Sequence, residues 1–336
     1  MSDKKVCMQQ ELLGLDVIYL ETAAGLRVEI LPFGATIKSI SINNQLMTLT
    51  YSHSEQYVAN PYYFGSTIGR YANRIANGQC VIDNKVVKLA TGGAQHALHG
   101  GEVGFSHRLW RCVASEADFC RLYYHSPDGE NGFPGALDVY LTIRVSDLSV
   151  ELEYQAISDK DSIISLTNHC YFNLDSNNQA ATDHKLKISA SYVLPCSNSG
   201  IPTGEIRNVA DSVFDFQEPM VIAERLQQDD PNLQTVKGFD HYYVFAAQRD
   251  TALPVAELSS SKSGIKLQLY TSQPGVQFYA GNFLADPFEP RSGICLEAQH
   301  WPDAPNQPHF PSAMISAGET YRQFIRYQFS FLENKN

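Results

Sequence analysis

A chain of 336 residues in which 25 Lys and Arg face 36 Asp and Glu carries a formal net charge of −11. That field repels polyanions, and with no basic patch in view a nucleic-acid partner is excluded as the leading reading. Hydrophobic residues make up 43% and charged residues 18% of the chain, against about 25% charged in an average soluble domain. Such a shortage suits a body made largely of sheet.

Nowhere do 18 apolar residues run together, so no membrane-spanning helix is expected. The opening residues 1–18 include Lys4, Lys5, Glu11 and Asp16 and do not read as a signal peptide. Seven cysteines without C-x-x-C spacing read as reduced, mostly buried thiols of a cytoplasmic protein rather than a disulfide or zinc framework.

Along the chain, period-two alternation comes first at Leu26, Val28 and Ile30, followed by a Pro/Gly turn at 32–34. Residues 65–78 hold glycines for turns and an Asn73-Arg74 pair with several fixed donors. The plainer reading is that its arginines tie loops to carboxylates. The segment lacks the G-x-G-x-x-G and terminal Lys-Ser/Thr of a phosphate loop. At 96–101, His96 and His99 precede two glycines that would let the backbone pass close to a ligand. A tight turn with a self-bonded histidine fits equally well. His96, His99 and His107 could suggest zinc, but no companion motif fixes such a site.

A turn-rich stretch at 128–135 leads into the clearest pattern of the chain. Val139, Leu141, Ile143 and Val145 face one way, and Leu148, Val150, Leu152, Tyr154 and Ala156 repeat the pattern after Ser146-Asp147, predicting a hairpin. At 166–174 a strand would put His169, Tyr171 and Asn173 on one face and Asn168, Cys170 and Phe172 on the other. His169 reads either as a satisfied core group or as an acid/base group, because an imidazole of ordinary pKa about 6.5 gives and takes protons near neutrality.

Leu186 and Ile188 mark a further strand, residues 197–204 a loop, and residues 219–226 a short helix with Pro219 early and Val221, Ile222 and Leu226 on one side. Asp240 and His241 then follow, with Ile265, Leu267 and Leu269 on a strand and Gln277, Tyr279 and Asn282 on or near the next. Glu297 follows an apolar run and precedes a Pro-broken loop, as when a strand end presents a side chain to a cleft. A carboxylate buried there needs partners or a job, and an ion pair with Arg74 is the bland alternative. Ile325, Tyr327, Phe329 and Phe331 close the chain as a strand. Many strands joined by Gly/Pro turns, with few helical signals and no linker, predict one all-β sandwich domain over 1–336.

Asp, Asn, Gln and Arg beside aromatic rings suit a sugar, whose hydroxyls want fixed donors and acceptors and whose C–H faces pack on rings. Spacing alone leaves epimerase, glycosidase and lectin open. Seven runs narrow the choice: GRYANRI at 69–75, LHGG at 98–101, SPDGENGFPG at 126–135, NHCYFNL at 168–174, GFDH at 238–241, QPGVQFY at 273–279 and CLEAQHWPDA at 295–304. In this order the chain resembles the aldose 1-epimerase (galactose mutarotase) family over nearly its whole length.

That resemblance implies a large antiparallel β-sandwich, with Glu297 as general base and His169 as general acid. Asn73, Arg74, His99, Asp240 and Gln277 would position the sugar. It also implies a free aldohexose partner, D-galactose foremost and D-glucose next, with no cofactor and no metal. The chain departs from familiar family residues at Cys170, where Ser or Pro is usual, and at Ala298, where Thr is usual. Ordinary pKa values would leave Glu297 ionised and His169, near acidic groups, partly protonated at neutral pH. A noncatalytic carbohydrate-binding domain, a hexose-6-phosphate 1-epimerase and a two-carboxylate glycosidase remain as alternatives, and monomer and homodimer are both open.

Overall fold

Alternation at period two becomes antiparallel ladder at 26–30, 137–156, 186–188, 265–269 and 325–331. In the computed structural model, which describes residues 15–176 and 179–332, the 137–156 pattern forms the strands Leu137–Ser146 and Ser149–Ser158, with Ser146 opposite Ser149. Asp147 takes a positive φ of 47° in the two-residue turn between them, the conformation such hairpins require. Val139, Leu141, Ile143 and Val145 on the first strand, and Val150, Leu152, Tyr154 and Ala156 on the second, are all buried. Cys7 and most of the opening stretch lie outside the described residues.

These two strands sit within a nine-stranded antiparallel sheet. Its order is Arg111–Ser115, Phe119–Ser126, Leu137–Ser146, Ser149–Ser158, Thr320–Phe331, Ile265–Thr271, Ala256–Ser260, Lys185–Ile188 and Met220–Val221. A six-stranded sheet runs Tyr171–Phe172, Ile294–Gln299, Gly275–Tyr279, Asp240–Val244, Tyr192–Leu194 and Arg207–Asn208. One continuous apolar cluster joins Leu141, Leu152, Ile325 and Tyr327 of the first sheet to Val276, Phe278, Leu296 and Ala298 of the second. This is the sandwich expected from the sequence. A four-stranded sheet over 18–46 contributes Val28, Ile30 and Ile40 to the same cluster.

Two local expectations need correction. The helix expected over 219–226 starts later, at Ile222–Leu226, because Met220 and Val221 pair with Leu186 and Lys185 at the sheet edge. The 166–174 strand is broken. Thr167–Asn168 pairs with Thr67–Ile68, whereas Tyr171–Phe172 pairs with Ile294 and Cys295 of the six-stranded sheet. His169 therefore stands at a crossing between two ladders, its N–H donating to the Ser66 carbonyl and its carbonyl accepting from Gly65 N–H, each at 3.0 Å.

A second helix, Pro231–Thr235, is capped by Asp230, whose carboxylate accepts from the N–H groups of Asn232 and Leu233. No helix among the described residues is long and apolar enough to cross a membrane. All six described cysteines are free, and Cys112 alone of them is exposed.

Leu141 lies fully buried at the middle of its strand, where truncation leaves a cavity between the sheets. Leu141→Ala is expected to lose about 2–5 kcal/mol of stability. Urea unfolding would read this directly, and a loss below about 1 kcal/mol would contradict the close packing of the two sheets.

Candidate active site

Strand alternation divides the six-stranded sheet into two surfaces. On Ile294–Gln299, residues Ile294, Leu296 and Ala298 belong to the inter-sheet core, which sends Cys295, Glu297 and Gln299 to the opposite face. On Gly275–Tyr279, Val276 and Phe278 do the same, leaving Gln277 and Tyr279 beside Glu297 and Cys295 in register. Asp240 opposes Tyr279 on the next strand. Three adjacent strands thus carry Glu297, Gln277, Tyr279 and Asp240 toward one place.

That place is a cavity of about 270 Å³ lined by Pro61, Tyr62, Tyr63, Asn73, Arg74, Leu98, His99, His169, Tyr171, Asp240, Tyr279, Phe283 and Glu297. Six of the seven sequence-derived site residues line it. Gln277 stands behind the lining and donates to Asp240 Oδ1 at 2.7 Å, so it orients that carboxylate. Of the two arginines in the 65–78 segment, Arg70 is buried and bonds the carbonyls of Ser126, Pro127, Pro134 and Gly135. Arg70 thus ties a loop as the plainer reading had it, though to backbone carbonyls instead of carboxylates, while Arg74 faces the cavity and forms no ion pair within 4.0 Å among the described residues. His241, next to Asp240 on its strand, points away and meets Asn232 Oδ1 through Nε2 at 2.9 Å.

His169 Nε2 and Glu297 Oε2 lie 3.6 Å apart, both buried. The imidazole stacks on Tyr171, with centroids 5.1 Å apart and planes 28° apart. Its Nδ1 lies 3.6 Å from Cys295 Sγ. Burial pushes the Glu297 carboxyl well above the ordinary carboxylate range, the Asp240 carboxylate adds to the rise, and the positive charge of Arg74 offsets part of it. Burial also brings His169 down to about 4. Burial therefore biases both groups toward their neutral forms, against the ionised glutamate and partly protonated imidazole expected from ordinary pKa values. The proton count is the same in either form: one transferable proton is shared by the pair. Asp240 is raised as well, by burial, against the lowering effects of Arg74 and the Gln277 hydrogen bond.

His99 is held by the same turn as Arg74. Asn73 N–H donates to His99 Nδ1 at 3.2 Å, and the Asn73 side chain accepts from Arg74 N–H at 2.8 Å. Burial lowers the His99 pKa well below its ordinary value, with the charges of His169 and Arg74 assisting. A neutral ring that accepts at Nδ1 carries its hydrogen on Nε2. Donor atoms of His99, His169 and Glu297 fall within 4.8 Å of one another, close enough to invite a metal ion. The tautomer of His99 opposes it, because ligation through Nε2 would set Nδ1–H against the Asn73 N–H. His96 and His107 do not join this group; His96 Nδ1 accepts from Asn77 N–H instead.

The aromatic wall at 61–63 was not singled out by sequence reasoning. Asn60 builds it: its amide accepts from Phe64 N–H and donates to the Phe64 carbonyl and Ser66 hydroxyl, while Tyr63 takes φ 58°. Tyr63 packs on His99 and His169, with centroids 4.8 and 5.9 Å away. The available signal was an Asn-Pro pair followed by three aromatics. Phe283, 53% exposed at the cavity wall, had only its neighbour Asn282 to mark it. Cys170 and Ala298, the two departures from the familiar family residues, both belong to the inter-sheet core and do not line the cavity.

Guanidinium, amide, carboxyl and aromatic groups set around a contacting imidazole and carboxyl on a β-sandwich are the kinds of group that suit a small polyhydroxylated ligand. Comparison with known proteins narrows this. The sequence profile of the aldose 1-epimerase family matches residues 16–328. The galactose mutarotase of Bos taurus is 37% identical over 321 residues, covering 91% of each chain. The aldose 1-epimerase of Escherichia coli K12 is 34% identical over 328 residues, covering 93% of this chain and 94% of the other. The crystal structure of an aldose epimerase homologue from C. elegans superposes with a TM-score of 0.88 at 28% identity, covering 95% of this chain and 99% of that one. The chain belongs to the aldose 1-epimerase family, which places it among enzymes that epimerise hexoses.

A carboxyl whose native pKa is raised stabilises the fold fully below its unfolded pKa of about 4.3 and loses that contribution as pH climbs toward the native value. Glu297→Gln, neutral at every pH, escapes the loss. Its melting temperature is expected to exceed that of wild type at pH 8 by on the order of a few degrees, with the gap closing toward pH 4. Calorimetry across that range checks the sign, and a gap independent of pH would refute it.

Proposed function

We propose that the protein is an aldose 1-epimerase that interconverts the α and β anomers of free hexoses, D-galactose foremost and D-glucose as well, by acid/base ring opening and closure. The observation that carries this reading is the 3.6 Å approach of two buried groups, His169 Nε2 and Glu297 Oε2, at the cavity wall. Between them they hold one proton to give and one lone pair to receive another, which is what the reaction consumes and restores.

In the proposed cycle the sugar's hydroxyls and the charge of Arg74 favour the carboxylate form of Glu297, and the shared proton passes to His169. Glu297 then takes the proton of the anomeric hydroxyl while His169 gives its proton to the ring oxygen. The C1–O5 bond breaks, its electron pair going to O5, and C1=O1 forms. Rotation about C1–C2 turns the other face of the aldehyde to the C5 hydroxyl. The same two groups then act in reverse, and the ring closes with its original atoms and electrons. No step changes oxidation state. Asn73, Arg74, His99 and Asp240 would hold the hydroxyls, with His99 Nε2–H as a neutral donor. Gln277 would act through Asp240, and the rings of Tyr63, Tyr171, Tyr279 and Phe283 would pack on the C–H faces.

Support for a free sugar over a phosphorylated one comes from the lining, where Arg74 is the one Arg or Lys and Asp240 and Glu297 stand with it. A phosphate dianion would find a single guanidinium there and no second cation.

Polarimetric relaxation of freshly dissolved α-D-galactose is expected to be accelerated by wild type and slowed by about 10²–10⁴-fold in Glu297→Gln and in His169→Asn. An undiminished rate in either folded variant would sink the assignment. Galactose binding without acceleration would leave a carbohydrate-binding domain, and release of aryl alcohol from an aryl galactoside would point to a glycosidase.

A further inference from the structure

Arg74 is fixed at its backbone and unheld at its tip. Its N–H is bonded to Asn73 Oδ1 at 2.8 Å, its carbonyl accepts from Asp303 N–H at 2.9 Å, and it pairs with Leu98 in a short ladder. Yet among the described residues its guanidinium donates no hydrogen bond and meets no carboxylate within 4.0 Å. A long cationic side chain in that state would wander unless something else confined it.

The confinement comes from a turn distant in sequence. Ser197 N–H donates to the Ile201 carbonyl and Gly200 N–H to the Ser197 carbonyl, each at 2.8 Å, which puts Gly200 at the tip with φ 76°. A β-carbon on Gly200 would fall 2.8 Å from Arg74 Cζ and 2.9 Å from both Nε and Nη1. The guanidinium therefore lies directly against the bare α-carbon. The base of the turn is anchored in turn: the Asn232 amide accepts from Cys196 N–H at 3.2 Å and donates to the Cys196 carbonyl at 2.7 Å. Asn232 Oδ1 also meets His241 Nε2 at 2.9 Å, and His241 Nδ1 accepts from Asp240 N–H at 3.2 Å. Turn, helix and the strand bearing Asp240 are tied into one unit behind the cavity.

We infer that Gly200 is a positioning residue of the sugar site: its missing side chain is the seat that aims the otherwise unbonded Arg74 guanidinium into the cavity, and it thereby sets affinity for the hexose. This rests on the function proposed above. Support by packing instead of by a carboxylate leaves the guanidinium's donors available to ligand hydroxyls. An acid partner would consume them.

The test compares Gly200→Ala and Gly200→Asn with Gly204→Ala in galactose anomerisation. Asn tolerates the left-handed conformation, so Gly200→Asn keeps the fold if Ala strains it. Gly204, at φ 90° further along the same loop, would place its new methyl 3.1 Å from the end of Gln307 and away from Arg74, so it controls for backbone strain. Both Gly200 variants are expected to raise KM by about tenfold or more and to lower kcat no further than Arg74→Ala does, since the guanidinium both holds the sugar and favours the carboxylate form of Glu297. Gly204→Ala should leave both constants near wild type. In an Arg74→Ala background, Gly200→Asn should add nothing further.

An unchanged KM in folded Gly200→Asn, an equal loss in Gly204→Ala, or a full additional loss without Arg74 would each overturn the inference. Were wild type inactive, the proposed function would fall by itself, and galactose affinity of the same variants, read by ligand-observed NMR, would still decide whether Gly200 acts through Arg74.

Discussion

Everything around the cavity depends on holding an imidazole and a carboxyl in contact while keeping both out of water. Removing charge from water is costly, so the fold pushes each group toward its neutral form. The positive charge of Arg74 pulls the other way on both carboxyls of the site. Burial thus favours the neutral pair and the charge of Arg74 the carboxylate, a balance between two forms that contain the same number of protons. A bound polar ligand would have only to tip that balance, with no proton drawn from solvent.

Secondary structure supplies the geometry at low conformational cost. Glu297, Gln277 and Asp240 come from three neighbouring strands whose register is set by a backbone ladder rather than by loops. His169 arrives from a different route, at the break where one strand leaves the Thr67–Ile68 ladder and the next joins Ile294 and Cys295. Arg74 and His99 come from two turns joined by mutual backbone and side-chain bonds, with Asn73 and His99 at φ 64° and 51°. Residues held in that sparsely populated region need surrounding structure to keep them there, and the hydrogen bonds between the two turns provide it.

Much of the sandwich was legible because half-buried strands announce themselves by alternation, as Leu137–Ser146 and Ser149–Ser158 do. The broken strand at 166–174 misled because its alternation is genuine on each side of His169, while the change of ladder depends on partners far away in the chain. Met220–Val221 was similarly claimed by its sheet against local helical preference. Among site residues, the polar ones were marked by their motifs. The aromatic wall at 61–63 was not, since rings read as core unless the fold is known to leave one face of them uncovered. The bias toward neutral forms was hidden for a related reason: ordinary pKa values carry no knowledge of burial. Gly200 had no chemical signature, because what matters there is an atom that is absent.

The alternation of Ile294–Gln299 and Gly275–Tyr279 also separates two kinds of change. Odd-numbered positions such as Cys295, Glu297, Gln277 and Tyr279 lie on the cavity side of the sheet, and even-numbered ones such as Leu296, Ala298, Val276 and Phe278 face the interior. Interior volume can therefore change along these strands, for example by substitution at Ala298, while the register of the cavity-side residues stays intact. An insertion or deletion of a single residue within either strand has no such freedom, for it would send carboxyl groups into the oil and methyl groups to the sugar at one stroke.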